Sequence, residues 1–153
     1  MFDLKGRKAL VTGASGGIGG AIAEALSTKG AEVGLSGTRI DALEALAGEI
    51  GGGTHILPAD LLSAEGAEKL VKEAMDALGG IDILINNAGL TRDLLSMRLS
   101  NADWQSVIDI NLTAAFRLSR NVFRGMMKRR WGRMTRATTF LRRQLRFQCC
   151  RGR

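Results

Sequence analysis

Short apolar runs alternate with helical patterns along most of this chain, and this alternation constrains the fold more than any other feature. The strand-like runs lie at residues 7–12, 31–36, 54–58 and 81–85. Between them, apolar residues recur at helical spacing over about 10–16 residues, which is long enough for a crossover between parallel strands. Because the runs are apolar throughout, we expect helices on both faces of the sheet. The sequence therefore predicts a three-layer α/β fold with a parallel sheet.

Turn and cap residues delimit the predicted helices. Glycines follow the helical patterns, at Gly30, at residues 51–53 and at Gly79–Gly80. Ser63 is a candidate N-cap, and Ser100 with Asp103 has the spacing of a capping box that opens a long helix. The apolar residues of that long helix are Trp104, Val107, Ile108, Leu112, Ala115, Phe116 and Leu118.

A glycine-rich turn joins the first strand to the first helix. It reads Thr12-Gly13-Ala14-Ser15-Gly16-Gly17-Ile18-Gly19. Glycines permit a tight turn and let the backbone approach a pyrophosphate, whose charge the helix N-terminus stabilises. A flexible turn without a ligand is the alternative, but the strand before and the helix after favour dinucleotide binding.

Four motifs in order resemble the short-chain dehydrogenase/reductase family. They are the Thr-Gly-x-x-x-Gly-x-Gly turn, Asp60-Leu61 after the third strand, Asn86-Asn87-Ala88-Gly89 after the fourth, and Asn111 within the long helix. Through about residue 133 the chain is similar to the 3-oxoacyl-[acyl-carrier-protein] reductases of bacterial fatty-acid synthesis. The resemblance implies a Rossmann-type sheet, incomplete here, with four to five strands and the C-terminal half missing.

The resemblance also implies roles for particular residues. Asp60 and Leu61 would hold the adenine ring, Asn87, Ala88 and Gly89 would lie near the cofactor, and Asn111 would hold a water in a proton relay. The residues implied for the phosphates are Gly13, Ala14, Ser15, Gly16, Gly17, Ile18 and Gly19. Loop capping after a strand is the alternative for the asparagine pair, and a water-facing position in mid-helix is the alternative for Asn111.

The residues after the second strand favour NADP over NAD. An NAD-preferring site places a carboxylate here to accept the ribose 2′-hydroxyl. This chain has no acidic residue before Asp41, and instead reads Ser36-Gly37-Thr38-Arg39. Thr38 can donate a hydrogen bond, and Arg39 can pair with a 2′-phosphate. A solvated position at the start of a helix is the alternative for Arg39.

The C-terminal part of the chain has a different composition from the rest. Residues 1–109 carry nine basic and fifteen acidic residues, whereas residues 110–153 carry thirteen basic residues and no acidic one. We expect residues 1–133 to form the dinucleotide-binding portion and residues 134–153 to be an aberrant basic tail. A reading-frame slip near codon 134 would explain that tail, in which Cys149 and Cys150 are incidental.

The resemblance implies catalysis by a Ser…Tyr-x-x-x-Lys set, which the chain does not supply. It contains no tyrosine, its last serine is Ser119 and its last lysine is Lys128. We therefore expect the family function to be NADPH-dependent reduction of 3-oxoacyl-[acyl-carrier-protein], with this chain inactive for lack of a general acid. The alternatives are a dinucleotide-binding module or unstable product without catalysis and, third, a nucleic-acid binder using the basic tail. The third is disfavoured because no docking element is recognisable.

Partners and location follow from the same features. Lys128, Arg129 and Arg130 suit the C-terminal end of a helix dipole, and the resemblance implies that such residues also meet the acyl carrier protein. In intact relatives it implies a homotetramer, which uses the long helix together with elements absent here. No apolar run approaches membrane-spanning length and the N-terminus MFDLKGRK is too charged for a secretory signal, so we expect a cytoplasmic protein. No metal site is predicted.

Overall fold

A parallel sheet organises the computed structural model, which describes residues 3–137. The strands are β1 (Lys8–Thr12), β2 (Glu32–Ser36), β3 (Thr54–Ile56), β4 (Ile83–Asn86) and β5 (Arg133–Arg136). Their order is β3-β2-β1-β4-β5, and every neighbouring pair is parallel. With helices on both faces, this arrangement confirms the predicted three-layer, Rossmann-type α/β fold.

Helices connect the strands, and two of the predicted caps are present. The α-helices are α1 (Gly17–Thr28), α2 (Ile40–Ile50), α3 (Ala64–Leu78), α4 (Asn101–Ile108) and α5 (Ala115–Lys128). The Ser63 hydroxyl accepts the N–H of Gly66 at 2.9 Å, and Ser100 and Asp103 form the capping box. Within residues 3–137, no helix is both long enough and apolar enough to cross a membrane.

The core lies in two layers, one on each face of the sheet. Alternate residues of a strand point to opposite faces, so Leu10 packs under α3 and α5 whereas Val11 packs under α1 and α2. Both side chains are fully buried, which explains why β1 reads as a continuous apolar run. The buried central strands therefore fix the carboxyl-terminal edge of the sheet, and the loops that follow the strands begin at this edge.

The predicted long helix is interrupted by a π-helix at Asp109–Ala114. The wider π turn shifts the phase of the apolar residues that follow it. After the π-helix, Leu118 is buried against the sheet, whereas the side chains of Trp104, Leu112 and Phe116 are 58%, 54% and 61% exposed. The apolar pattern thus predicted a helical segment correctly, but several of its residues face away from the core.

The sheet continues beyond the predicted limit of the fold at residue 133. Met134, Thr135 and Arg136 pair with Leu84, Ile85 and Asn86 of β4, and the Met134 side chain packs on the core under α3 and α5. These three residues belong to β5, although their sequence gave no strand pattern. The rest of the predicted tail, residues 138–153, lies outside the described residues and includes Cys149 and Cys150.

An ion pair ties the C-terminal end of α5 to the amino-terminal edge of the sheet. Arg129 Nε lies 3.0 Å from Asp82 Oδ1, and a second Arg129 nitrogen donates to the Ile81 carbonyl. The other Asp82 oxygen accepts the N–H of Lys8 at 3.3 Å, and the Asp82 side chain is only 9% exposed. Arg129 therefore contributes to the packing of α5 on β1 and β4.

Candidate functional site

A cleft of about 890 Å³ opens where the strands end. The chain runs from β1 outward to β3 on one side and then returns to β4 and β5 on the other, so the cleft lies at a topological switch point, where α/β proteins bind ligands. The predicted site residues that line it are Gly13, Ser15, Gly16, Gly17, Ile18, Gly19, Thr38, Arg39, Asp60, Leu61, Asn87, Ala88, Gly89 and Asn111. Ala14 does not line the cleft, because its side chain is buried in the core under α1 and α2.

The glycine turn presents free backbone donors to this cleft. Gly13 has φ +64°, a left-handed conformation that favours glycine. Gly16 is the N-cap of α1 and provides no side-chain hydrogen bond to the first turn of the helix. The N–H groups at the start of α1 are therefore available to an anion, together with the positive end of the helix dipole.

Asn87 fastens the glycine turn to the end of β4. Its side-chain amide donates to the carbonyls of Thr12 and Gly13, each at 3.1 Å. A β-carbon on Gly19 would collide with the Gly13 carbonyl and lie 2.6 Å from the Asn87 amide nitrogen. The glycine at position 19 is therefore required by the close approach of α1 to both groups.

Thr12, the first residue of the glycine motif, completes this corner, although the sequence predicts no role for its side chain. Its hydroxyl donates to the Ile85 carbonyl at 3.1 Å and accepts the N–H groups of Asn87 and Ala88 at 3.1 and 3.0 Å. Thr12 is 1% exposed, so these bonds form away from water. The ends of β1 and β4 are thus joined by side chains as well as by the sheet.

Asn111 holds the loop that follows β4. Its side-chain nitrogen donates to the Leu90 carbonyl at 2.7 Å, and its side-chain oxygen accepts the Leu90 N–H at 3.3 Å. A β-carbon on Gly89 would lie 3.0 Å from that oxygen. The π-helix presents this residue to the loop, so the Asn111 side chain is engaged with Leu90 rather than turned to water.

The residues after β2 and β3 form the opposite end of the cleft. Arg39 is the N-cap residue of α2, and its guanidinium donates to the Ser15 carbonyl in the glycine turn. Asp60 accepts the Leu62 N–H at 3.0 Å, which stabilises the loop after β3. The nearest acidic residue in sequence after Arg39 is Asp41, which lies in the first turn of α2.

An apolar wall of the cleft was missed from the sequence. Leu90, Leu99, Trp104, Val107 and Ile110 line it. The last three lie at helical spacing along α4 and into the π-helix, which is the signal that could have identified them. The sequence pattern predicts Trp104 and Val107 only as apolar residues of the long helix, and Ile110 is not in that predicted set.

Asp103 stabilises the start of α4 beside this wall. It lies 3.7 Å from Arg92 Nε and caps the helix with Ser100. The hydrogen bond from the Ser100 hydroxyl, together with that from the Ser100 backbone N–H, holds the pKa of Asp103 below its ordinary value. Arg92, on the loop after β4, is thereby held near the N-terminus of α4.

The three basic residues that end α5 have different surroundings. Lys128 ends the helix, Arg129 pairs with Asp82, and Arg130 is exposed with φ +53°. Among residues 3–137, no three His, Cys, Asp or Glu side chains form a group that could hold a metal ion.

Comparison with known proteins identifies relatives over most of the chain. The model of the short chain dehydrogenase family matches residues 7–138. Nodulation protein G of Rhizobium sp. (strain N33) is 52% identical over 91% of this chain and 57% of its own length. The 3-oxoacyl-[acyl-carrier-protein] reductase of Aquifex aeolicus is 44% identical over 87% of this chain and 55% of its own length.

The architecture matches solved structures as well. A metagenomic short-chain oxidoreductase in complex with NADP superposes with a TM-score of 0.82 at 32% identity, covering 86% of this chain and 62% of that one. This chain spans little more than half the length of the curated relatives described above.

Proposed function

The chain belongs to the short chain dehydrogenase family, and we propose that its cleft binds NADP(H). The observation that carries this proposal is the glycine corner, in which the missing β-carbons of Gly13 and Gly19 let the turn, Asn87 and α1 approach one another closely. This packing places the free N–H groups of the α1 N-terminus at the cleft. Asn87 holds this corner in place from β4. A solved relative of similar architecture contains NADP, which supports the same choice.

Each part of the dinucleotide has a suitable group in the cleft. The first-turn N–H groups of α1 would bind the pyrophosphate. Arg39 and Thr38 would bind the 2′-phosphate, for which a guanidinium fork is well matched. Asp60 and Leu61 would flank the adenine, and Asn87, Ala88 and Gly89 would lie beside the nicotinamide. Bound NADPH supplies a hydride to an electrophilic carbonyl carbon.

The substrate that we propose for the family activity is a 3-oxoacyl thioester carried by the acyl carrier protein. The similarity to a 3-oxoacyl-[acyl-carrier-protein] reductase supports it, and the apolar wall at Trp104, Val107 and Ile110 suits an acyl group. Asn111 would keep the loop after β4 against the nicotinamide by holding Leu90. At the α5 end, the exposed residues Lys128 and Arg130 suit an acidic carrier, since Arg129 is already paired.

Turnover needs a proton donor for the new alcohol. The 153 residues contain no tyrosine, so we propose that they bind the cofactor but reduce the ketone very slowly unless a donor comes from outside them. A missing general acid alone costs about 10²–10⁴-fold. Binding without turnover is therefore the outcome that we expect for this chain by itself.

Fluorescence titration tests the cofactor, and an activity assay tests the chemistry. The full chain should bind NADPH more tightly than NADH, and Arg39→Gln should remove most of that preference. With acetoacetyl thioester added, NADPH oxidation should stay near the uncatalysed rate. Equal affinity for both cofactors would contradict the role of Arg39, and enzyme-like turnover would contradict the proposal about the proton donor.

A further inference from the structure

Arg136 lies at the end of the cleft furthest from Arg39. It is the last residue of β5, where it pairs in register with Asn86, and it lines the cleft together with Ala137. Met134, two residues earlier, packs under α3 and α5, so strand alternation places Arg136 on that same face of the sheet. The residue therefore combines a cationic side chain with a position at the cleft edge.

The ion pairs among residues 3–137 do not use Arg136, although one acidic residue on this side, Asp93, also lines the cleft. Arg92, the other arginine on this side of the cleft, pairs with Asp103. No ion pair or side-chain hydrogen bond within residues 3–137 engages the Arg136 guanidinium, and its side chain is exposed. A guanidinium carries several N–H donors, so it can bind an anion through two of them.

The spacing of the strands separates this cation from the proposed 2′-phosphate site. Arg39 follows β2, and Arg136 ends β5, three strands away in the sheet. At about 4.8 Å between strands, this is a separation of about 14 Å. A dinucleotide with its 2′-phosphate at Arg39 and its pyrophosphate at α1 would extend toward β4, with its nicotinamide at that end. Arg136 therefore borders the part of the cleft next to the nicotinamide, where a second ligand would bind.

We propose that Arg136 is an anion subsite for the second ligand of the cleft, a small oxo or hydroxy compound that carries a carboxylate or phosphate group. A guanidinium binds such a group through two parallel N–H···O bonds, which orients the ligand as well as attracting it. This inference rests on the proposed function in one respect, namely that the dinucleotide occupies the rest of the cleft. It goes beyond that function because the anion is on the small ligand itself and not on a carrier protein.

Ligand-observed NMR titration of the full chain tests the subsite, with and without NADPH. Acetoacetate and inorganic phosphate are the anionic probes, and acetoacetamide is the neutral analogue of the first. Wild type should bind acetoacetate about tenfold or more tightly than acetoacetamide, and Arg136→Gln should remove that difference. Arg136→Lys should retain part of it, because the charge remains but the paired geometry is lost. Tighter binding of acetoacetate than of phosphate would assign the subsite to carboxylates, and the reverse to phosphates.

Two controls keep the outcome specific to Arg136. Arg133 begins the same strand and stacks over Trp131 at the opposite edge, 5.2 Å from the ring centroid, so Arg133→Gln should leave acetoacetate binding unchanged. Arg39→Gln should weaken NADPH but not acetoacetate in the absence of NADPH. Equal binding of acetoacetate and acetoacetamide by wild type, or a loss that follows Arg39 rather than Arg136, would overturn the subsite. If acetoacetate binds as expected but NADPH does not, the proposed cofactor is overturned while the subsite at Arg136 stands.

Discussion

Two regions of this molecule border the same cleft. One is held in place by hydrogen bonds within the protein, and the other exposes apolar side chains. At the glycine corner, formed by residues 12–19 and 87–89, Asn87 and Thr12 form hydrogen bonds with the backbone of the neighbouring strand end, and added side chains would collide. Along the helical wall, formed by residues 101–111, the side chain of Trp104 lines the cleft and is more than half exposed. A ligand therefore meets a preorganised backbone at the corner and side chains with room to move at the wall.

The difference shows that the close packing of backbone at the corner and the burial of apolar side chains under the helices contribute separately to this fold. The corner depends on a few positions that admit no β-carbon, so single substitutions there should affect binding strongly. The helix that continues from the wall, α5, is packed on the sheet by buried residues such as Leu118 and by the Arg129–Asp82 pair. Substitutions there should change stability or surface properties while leaving the corner intact.

Gly19→Ala should have the largest effect and would break the corner. Its β-carbon has no room between the Gly13 carbonyl and the Asn87 amide, so α1 must shift. We expect a loss of about 1–3 kcal/mol in the free energy of unfolding from overpacking, with NADPH binding no longer measurable by fluorescence titration. Gly48→Ala is the matched control, because a β-carbon there meets nothing within 4 Å on α2. A Gly19→Ala protein that binds NADPH normally would contradict the corner as described.

Arg129→Gln should have an intermediate effect, on stability alone. It leaves the Asp82 carboxylate, 9% exposed, without its cation, while Arg129 itself is 38% exposed. A fully buried pair broken in this way costs about 3–5 kcal/mol, so we expect about 1–3 kcal/mol here by urea denaturation. NADPH affinity should be unchanged. Arg130→Gln, one residue along the chain on an exposed side chain, should change the unfolding free energy by less than about 0.5 kcal/mol. Equal effects of the two substitutions would show that the Asp82 pair has no special role.

Ser100→Ala should have the smallest effect, confined to the start of α4. Hydrogen bonds from Ser100 lower the pKa of Asp103, so their contribution is present above the ordinary aspartate pKa and is lost as pH falls through the lowered one. Amide hydrogen exchange in the first turn of α4 should be faster in the variant at neutral pH, and the difference should shrink at acid pH. Ser63→Ala removes a cap on α3 that involves no carboxylate, so its effect should not show this pH dependence. A pH-independent difference for Ser100→Ala would refute the coupling to Asp103.

The sequence predicted the parts of this molecule that depend on local pattern. Strand runs, glycine stops, the Ser63 cap and the Ser100 box all arise from residues close together in the chain. The Asp82–Arg129 pair joins residues 47 positions apart, and no spacing rule indicates it. The polar strand Arg133–Arg136 forms because β4 offers it an edge, not because its own residues alternate. The π-helix likewise has no signature in the sequence, and the shared apolar pattern of Leu112, Phe116 and Leu118 does not indicate that only Leu118 is buried.

The bonds of Asn111 show a similar limit. Its position in the long helix and its resemblance to a family motif drew attention to it, but its two bonds to Leu90 depend on the loop and the π-helix meeting in space. The same holds for Arg136, whose place in the cleft follows from the pairing of β5 with β4.

Hydrogen exchange of the full chain with and without NADPH tests the central claim most directly. If the glycine corner binds the dinucleotide, exchange should slow at the amides of residues 13–19 and 87–90 when NADPH is added. The amides of α5, which lie outside the corner, should be unaffected. Unchanged exchange at both corner segments under saturating NADPH, or slowing restricted to α5, would contradict the account.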